Sequence, residues 1–60
     1  MNLMKRLRSM KKDSVITIDD ADAKRESIRA ECSLLKKRLG YQFTYMYVRS
    51  LRQTIVYRNG

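Results

Sequence analysis

The sequence predicts an α+β domain: one amphipathic helix packed on a small three-stranded sheet in the order β-α-β-β, preceded by a basic arm that is flexible or forms a short helix. Three observations predict it. A β-branched run, 14–18, precedes a long segment whose apolar residues recur at helical spacing. That segment ends at Gly40, where a left-handed cap is usual. Beyond Gly40 the apolar spacing changes from helical to alternating.

The arm covers residues 1–13, and the single small domain covers residues 14–60. Within the arm, Leu3, Met4, Leu7 and Met10 fall on one helical face with basic residues between them. Three turns without tertiary support are marginal in water, so the arm is expected to fray unless this stripe packs on the domain or on a partner. The run Ser14-Val15-Ile16-Thr17-Ile18 reads as a strand, and its period of two makes Ile16 and Ile18 the core pair. A helix is predicted over 19–39. Asp19 or Asp20 is its expected cap, Asp22 sits in its first turn, and Lys36, Lys37 and Arg38 sit in its last, all complementing the helix dipole. Ile28, Cys32, Leu35 and Leu39 form its core stripe, extended by Ala21, while Leu34 lies off it.

In the second half Tyr41, Phe43, Tyr45 and Tyr47 point one way, and Gln42, Thr44, Met46 and Val48 point the other. Thr54-Ile55-Val56-Tyr57-Arg58 is a further β-rich run, giving an antiparallel hairpin across residues 49–53. The loop holds no Gly, Asn or Pro, so a tight primed turn is disfavoured and its length is open. An odd loop adds Ile55 and Tyr57 to the Phe43 face, and an even loop adds Val56 and Arg58. The Phe43 face offers the most apolar area and is expected to meet the helix. The opposite face must then meet water, a second copy or a ligand.

Size and composition bear on function. A chain of 60 residues buries only about 60% of its unfolded surface and has little material for the walls of a metabolite pocket. It contains no His, which removes the commonest general base and metal ligand. Cys32 is the only cysteine and lies on the buried stripe, so zinc fails on ligand count. Asp19, Asp20 and Asp22 read as helix-start residues, because no further oxygens converge on them to hold a hard cation. A non-enzymatic binding protein with no cofactor and no metal is the expectation. The basic start lacks the apolar run of a signal peptide, and no run of about 20 apolar residues exists to span a bilayer. A cytoplasmic setting is the default expectation.

The charge distribution points to a partner. Residues 1–12 carry Lys5, Arg6, Arg8, Lys11 and Lys12 and no acid. Residues 32–60 carry Lys36, Lys37, Arg38, Arg49, Arg52 and Arg58, again with no acid. All the acids, Asp13, Asp19, Asp20, Asp22, Glu26 and Glu31, lie between these blocks, accompanied by Lys24, Arg25 and Arg29. With a net charge of +8, such segregation attracts polyanions, of which nucleic acid is the most abundant. Tyr41, Tyr45, Tyr47 and Tyr57 are candidates to stack bases, Tyr45 and Tyr47 foremost, with the cations of the two acid-free blocks on phosphates. DNA and RNA are equally compatible with this pattern. The leading expectation is therefore a nucleic-acid-binding accessory or regulatory protein. The alternative is a module or inhibitor that docks its sheet on an acidic protein, since the aromatic and apolar residues exceed what one thin core needs. A homodimer is compatible with either.

Overall fold

A computed structural model describes residues 2–60. Its elements are α1 (Leu3–Arg8), β1 (Val15–Asp19), α2 (Arg25–Leu39), β2 (Phe43–Val48), a 3₁₀ turn at Arg49–Leu51, and β3 (Gln53–Arg58). This is the α+β architecture read from the sequence, with its arm as a short helix. The three strands form one antiparallel sheet in the order β1-β3-β2, so the last strand in the chain is the central one. Strands β1 and β2 are its two edges.

The arm is part of the core. The Asn2 side-chain oxygen accepts from the Lys5 amide and caps α1. Leu7 and Met10 are buried in one cluster with Ile18, Ile28, Cys32, Leu35 and Val56, and Leu3 packs against its margin. The apolar stripe thus finds on the domain the tertiary support that a helix of this length needs.

Helix α2 starts later than its pattern predicts. Residues 20–23 form a turn in which the Asp19 carbonyl accepts from the amides of Asp22 and Ala23, and Lys24 occupies the cap position without a side-chain bond. Neither Asp19 nor Asp20 caps the helix: Asp19 ends β1, and the Asp20 amide extends the ladder by donating to the Arg52 carbonyl. Ala21 is consequently exposed instead of extending the stripe. Ile28, Cys32 and Leu35 are buried as expected, whereas Leu39 is exposed in the last turn. Gly40 closes the helix at φ 72° and ψ 15°, a left-handed conformation that favours glycine, with its amide donating to the Lys36 carbonyl.

Val48 pairs with Gln53, so four residues, 49–52, join β2 to β3, and Arg52 closes the loop in a left-handed conformation. An even loop places Val56, Thr54 and Arg58 on the same face as Phe43, Tyr45 and Tyr47. Ile16 and Ile18 join them across the β1 register. This is the face that α2 and α1 cover, with Val56 wholly buried at its centre. The opposite face carries Val15, Thr17, Thr44, Met46, Val48, Ile55 and Tyr57, with Val15 56% and Met46 61% exposed.

The ladder also fixes which amides are free. Arg58 exchanges backbone hydrogen bonds with the β1 side, donating to Ser14 and accepting from Asp13, so Tyr57 is directed to β2. Its partner Thr44 therefore faces β3, and the amides and carbonyls of Phe43, Tyr45 and Tyr47 face outward along the free edge of β2.

A 60-residue domain has roughly 3–9 kcal/mol of total stability. Leu7→Ala should remove about 2–4 kcal/mol of it through lost burial and a residual cavity. Urea or thermal unfolding followed by circular dichroism is the check, and an unchanged midpoint would show that the arm does not contribute to the core.

Candidate nucleic-acid interface

The seam between α2 and the edge strand β2 is a groove. On its helix bank, Arg25, Arg29, Ser33 and Lys36 recur at helical spacing, the last three each one position on from the buried Ile28, Cys32 and Leu35. On its sheet side stand Phe43, Tyr45 and Tyr47, every second residue of β2. Three adjoining hollows follow the seam. Asp20, Lys24, Arg25, Glu26 and Tyr47 line the first, of about 240 Å³. Arg25, Glu26, Arg29, Tyr45, Tyr47 and Thr54 line the second, of about 320 Å³. Cys32, Ser33, Lys36, Phe43 and Tyr45 line the third, of about 170 Å³. Shared residues join each to the next, so cations and aromatic rings face one another along the helix.

The aromatic residues differ in how they are held. The Tyr47 hydroxyl donates to Asp20 Oδ2 at 2.7 Å, and the Arg25 guanidinium lies 4.3 Å from the centre of its ring. One acid and one cation therefore fix this ring at the groove's first end. The hydrogen bond to Asp20 raises the Tyr47 phenol above its ordinary value, helped by desolvation and the Asp20 charge, while Arg25 and Arg52 act in the opposite sense. Tyr45 is 42% exposed at the middle of the groove. Tyr41 stands apart beneath Arg58, whose guanidinium lies 3.6 Å from its ring centre, with Phe43 edge-on at 6.1 Å. Tyr57 lies on the open sheet face and donates to Asp13 Oδ1 at 2.7 Å, which raises its phenol in the same way.

Only some of the predicted residues converge. Lys36, Tyr45 and Tyr47 line the groove, and Arg52 stands near its Tyr47 end, where its charge acts on that phenol. Arg49 is exposed on the same loop. Lys5 and Arg8 lie on α1, and Arg8 and Arg38 line one hollow at the α1–α2 seam. Arg6 and Lys37 are exposed on the two helices, and Lys11 and Lys12 are exposed in the turn before β1. Arg58 is turned inward: its Nη1 donates to the Met10 carbonyl at 2.6 Å and its Nε to the Gly60 carbonyl at 3.0 Å. It ties the arm to the end of the sheet, so two of its donors are already engaged.

Arg25 and Arg29 are absent from the set predicted by sequence, because they sit in the net-acidic block. The signal was their position, four apart beside the core stripe and in line with Lys36. Arg29 has no hydrogen-bond or ion-pair partner among the described residues.

Cys32 borders the third hollow, but burial pushes its thiol up to about 11, with the neighbouring Glu31 charge adding to the shift. Such a thiol is poorly nucleophilic near neutral pH. Among the described residues, no group of three His, Cys, Asp or Glu is placed to hold a metal ion, and no helix is long and apolar enough to cross a membrane. Comparison with protein-family models, curated proteins and solved structures gave no match.

Tyr47 and Tyr57 ionise at higher pH in the folded chain than their ordinary value of 10.0. The stability from these two hydrogen bonds is therefore complete below about pH 10 and is lost as pH rises through the folded values. In a phenolate absorbance titration, Asp20→Asn should move the Tyr47 step to lower pH. A superimposable curve would contradict the Tyr47–Asp20 bond.

Proposed function

We propose that this chain is a small non-enzymatic nucleic-acid-binding protein, accessory or regulatory in role, that holds a single strand in the α2–β2 groove. The observation that carries the reading is the facing of Arg25, Arg29 and Lys36 across Tyr45 and Tyr47. Single strands are bound by aromatic faces that stack bases beside cations that hold phosphates, and here both line one seam. A duplex presents its bases edge-on inside a groove, so it offers nothing for an aromatic floor between a helix and a strand to stack on. Lys5, Arg8 and Arg38 on the far flank of α2, with Lys37 between, continue the basic surface over the helix layer. They would attract the strand at a distance and hold its emerging ends.

Binding of labelled single-stranded oligonucleotides at about 50 and 200 mM salt tests this. Several phosphate contacts should weaken affinity by orders of magnitude over that range. Arg29→Ala should flatten the dependence of log affinity on log salt by about 0.7. Tyr45→Ala should cost about 1–3 kcal/mol, or 5- to 150-fold in affinity. No binding at the lower salt would end the proposal.

One observation favours a second reading, a protein-interaction module. The outward amides of β2 lie within the uncharged run 39–48, so this edge lacks the charges that usually discourage strand addition. An extended acidic segment added there would also lie beside Arg25 and Arg29. Tyr45→Pro removes an outward amide without breaking the β2–β3 ladder. It should abolish capture of an acidic partner under nuclease treatment if this reading holds, and leave capture unchanged if it does not.

A further inference from the structure

The two edges of the sheet are not alike. Edge strand β1 ends in Asp19 and is flanked by Lys12, Asp13 and Asp20, charges that discourage the addition of a further strand. Edge strand β2 has no such protection: it holds no Pro, and no charged residue lies between Arg38 and Arg49. Its amides and carbonyls at Phe43, Tyr45 and Tyr47 face outward. It also exposes large side chains on both sides of the sheet, Tyr45 at 42% on the groove side and Met46 at 61% on the open side. A ligand in the groove covers only the first. A strand laid along the edge covers both.

We infer that this strand is β2 of a second copy of the chain, paired antiparallel about a two-fold axis at Tyr45. The edge is complementary to itself in that register. Phe43 of each copy meets Tyr47 of the other, and Tyr45 meets its own counterpart, so all three outward residues both donate and accept. Aromatic pairs form on the groove side, and on the open side Thr44 meets Met46 of the second copy, an uncharged pair. An acidic segment fits less well, because every second side chain of an added strand points to the open side, where the strands carry no Lys or Arg. A net charge of +8 opposes association of two copies, and pairing at β2 keeps like charges out of the strands that meet. A 60-residue chain with one thin core is also the kind that gains stability from association. The second copy extends the aromatic floor of each groove. The inference does not rest on the single-strand reading, and either can fail alone.

The test is sedimentation equilibrium without nucleic acid, at chain concentrations up to about 1 mM, which reaches the weak end of specific association. The mass should rise from 7.2 kDa towards twice that value and stop there. Raising salt from about 50 to 500 mM should tighten the association, because it screens two cationic copies. Tyr45→Pro should stay at the monomer mass with an unchanged far-ultraviolet spectrum, since it removes only an outward amide. Thr44 and Met46 are exposed, so charges placed there leave the fold intact. Thr44→Lys with Met46→Lys sets like charges opposite one another and should weaken the dimer about tenfold, whereas Thr44→Glu with Met46→Lys sets opposite charges there and should restore it. A monomer at every concentration overturns the inference, as does growth beyond two copies or association that salt weakens. A dimer that survives Tyr45→Pro, or that responds alike to the two charged pairs, also overturns it. A chain that stays monomeric but binds a glutamate-rich peptide, and loses that binding in Tyr45→Pro, overturns it in favour of an acidic partner.

Discussion

The parity of the β2–β3 connection is the constraint on which the rest of the molecule depends. Because four residues separate Val48 from Gln53, Val56 lies under α2 with Thr54 and Arg58 on the same face. A loop one residue shorter or longer would turn Ile55 and Tyr57 under the helix and expose Val56. Three consequences follow from the observed parity. Val56 fills the centre of the core, Arg58 reaches back to the Met10 carbonyl to tie down the arm, and Thr54 is buried between Ile18 and Tyr47 beneath the groove. Core, arm and candidate site thus hang on one register. Holding it requires Arg52 at φ 49°, a left-handed conformation that costs an ordinary side chain about 1 kcal/mol or more.

Two of the six acidic side chains brace tyrosines, and the backbone of a third shapes a turn. Asp20 fixes Tyr47, Asp13 fixes Tyr57, and the Asp19 carbonyl organises the turn that leads into α2. The cations are spread instead over α1, α2 and the β2–β3 loop, and the open sheet face carries no Lys or Arg among the residues of its strands. A net charge of +8 is therefore concentrated on the helix layer and the loop. That layer borders the groove, so its positive field extends over the groove's aromatic floor.

Element types were legible because each rests on local periodicity. The stripe Ile28, Cys32 and Leu35 and the alternation through β2 each depend on spacing within one element. What local pattern could not supply was competition between elements. Asp19 and Asp20 have the chemistry of helix caps, but the ladder to Arg52 and the Tyr47 hydroxyl claim Asp20, and α2 begins after a turn. Arg58 has the chemistry of a phosphate ligand, but a carbonyl 48 positions away claims one of its donors. The loop parity left two faces open for β3 until the pairing chose one. The groove was half legible: Tyr45, Tyr47 and Lys36 stand out in acid-free sequence, while Arg25 and Arg29 are masked by the acids that neighbour them in sequence.

The groove is also where the fold departs from its own stability optimum. A chain of this size has roughly 3–9 kcal/mol in hand, and an unsatisfied buried hydroxyl takes about 1–3 kcal/mol of that. Valine has nearly the shape of threonine and is the better strand-core residue, so packing alone does not account for a hydroxyl at position 54. Thr54 sits in the same face as Ile18 and Val56, yet of these three it is the one that lines the groove. Thr54, whose hydroxyl has no partner among the described residues, and Arg29, likewise unpartnered among them, line the same hollow of the seam.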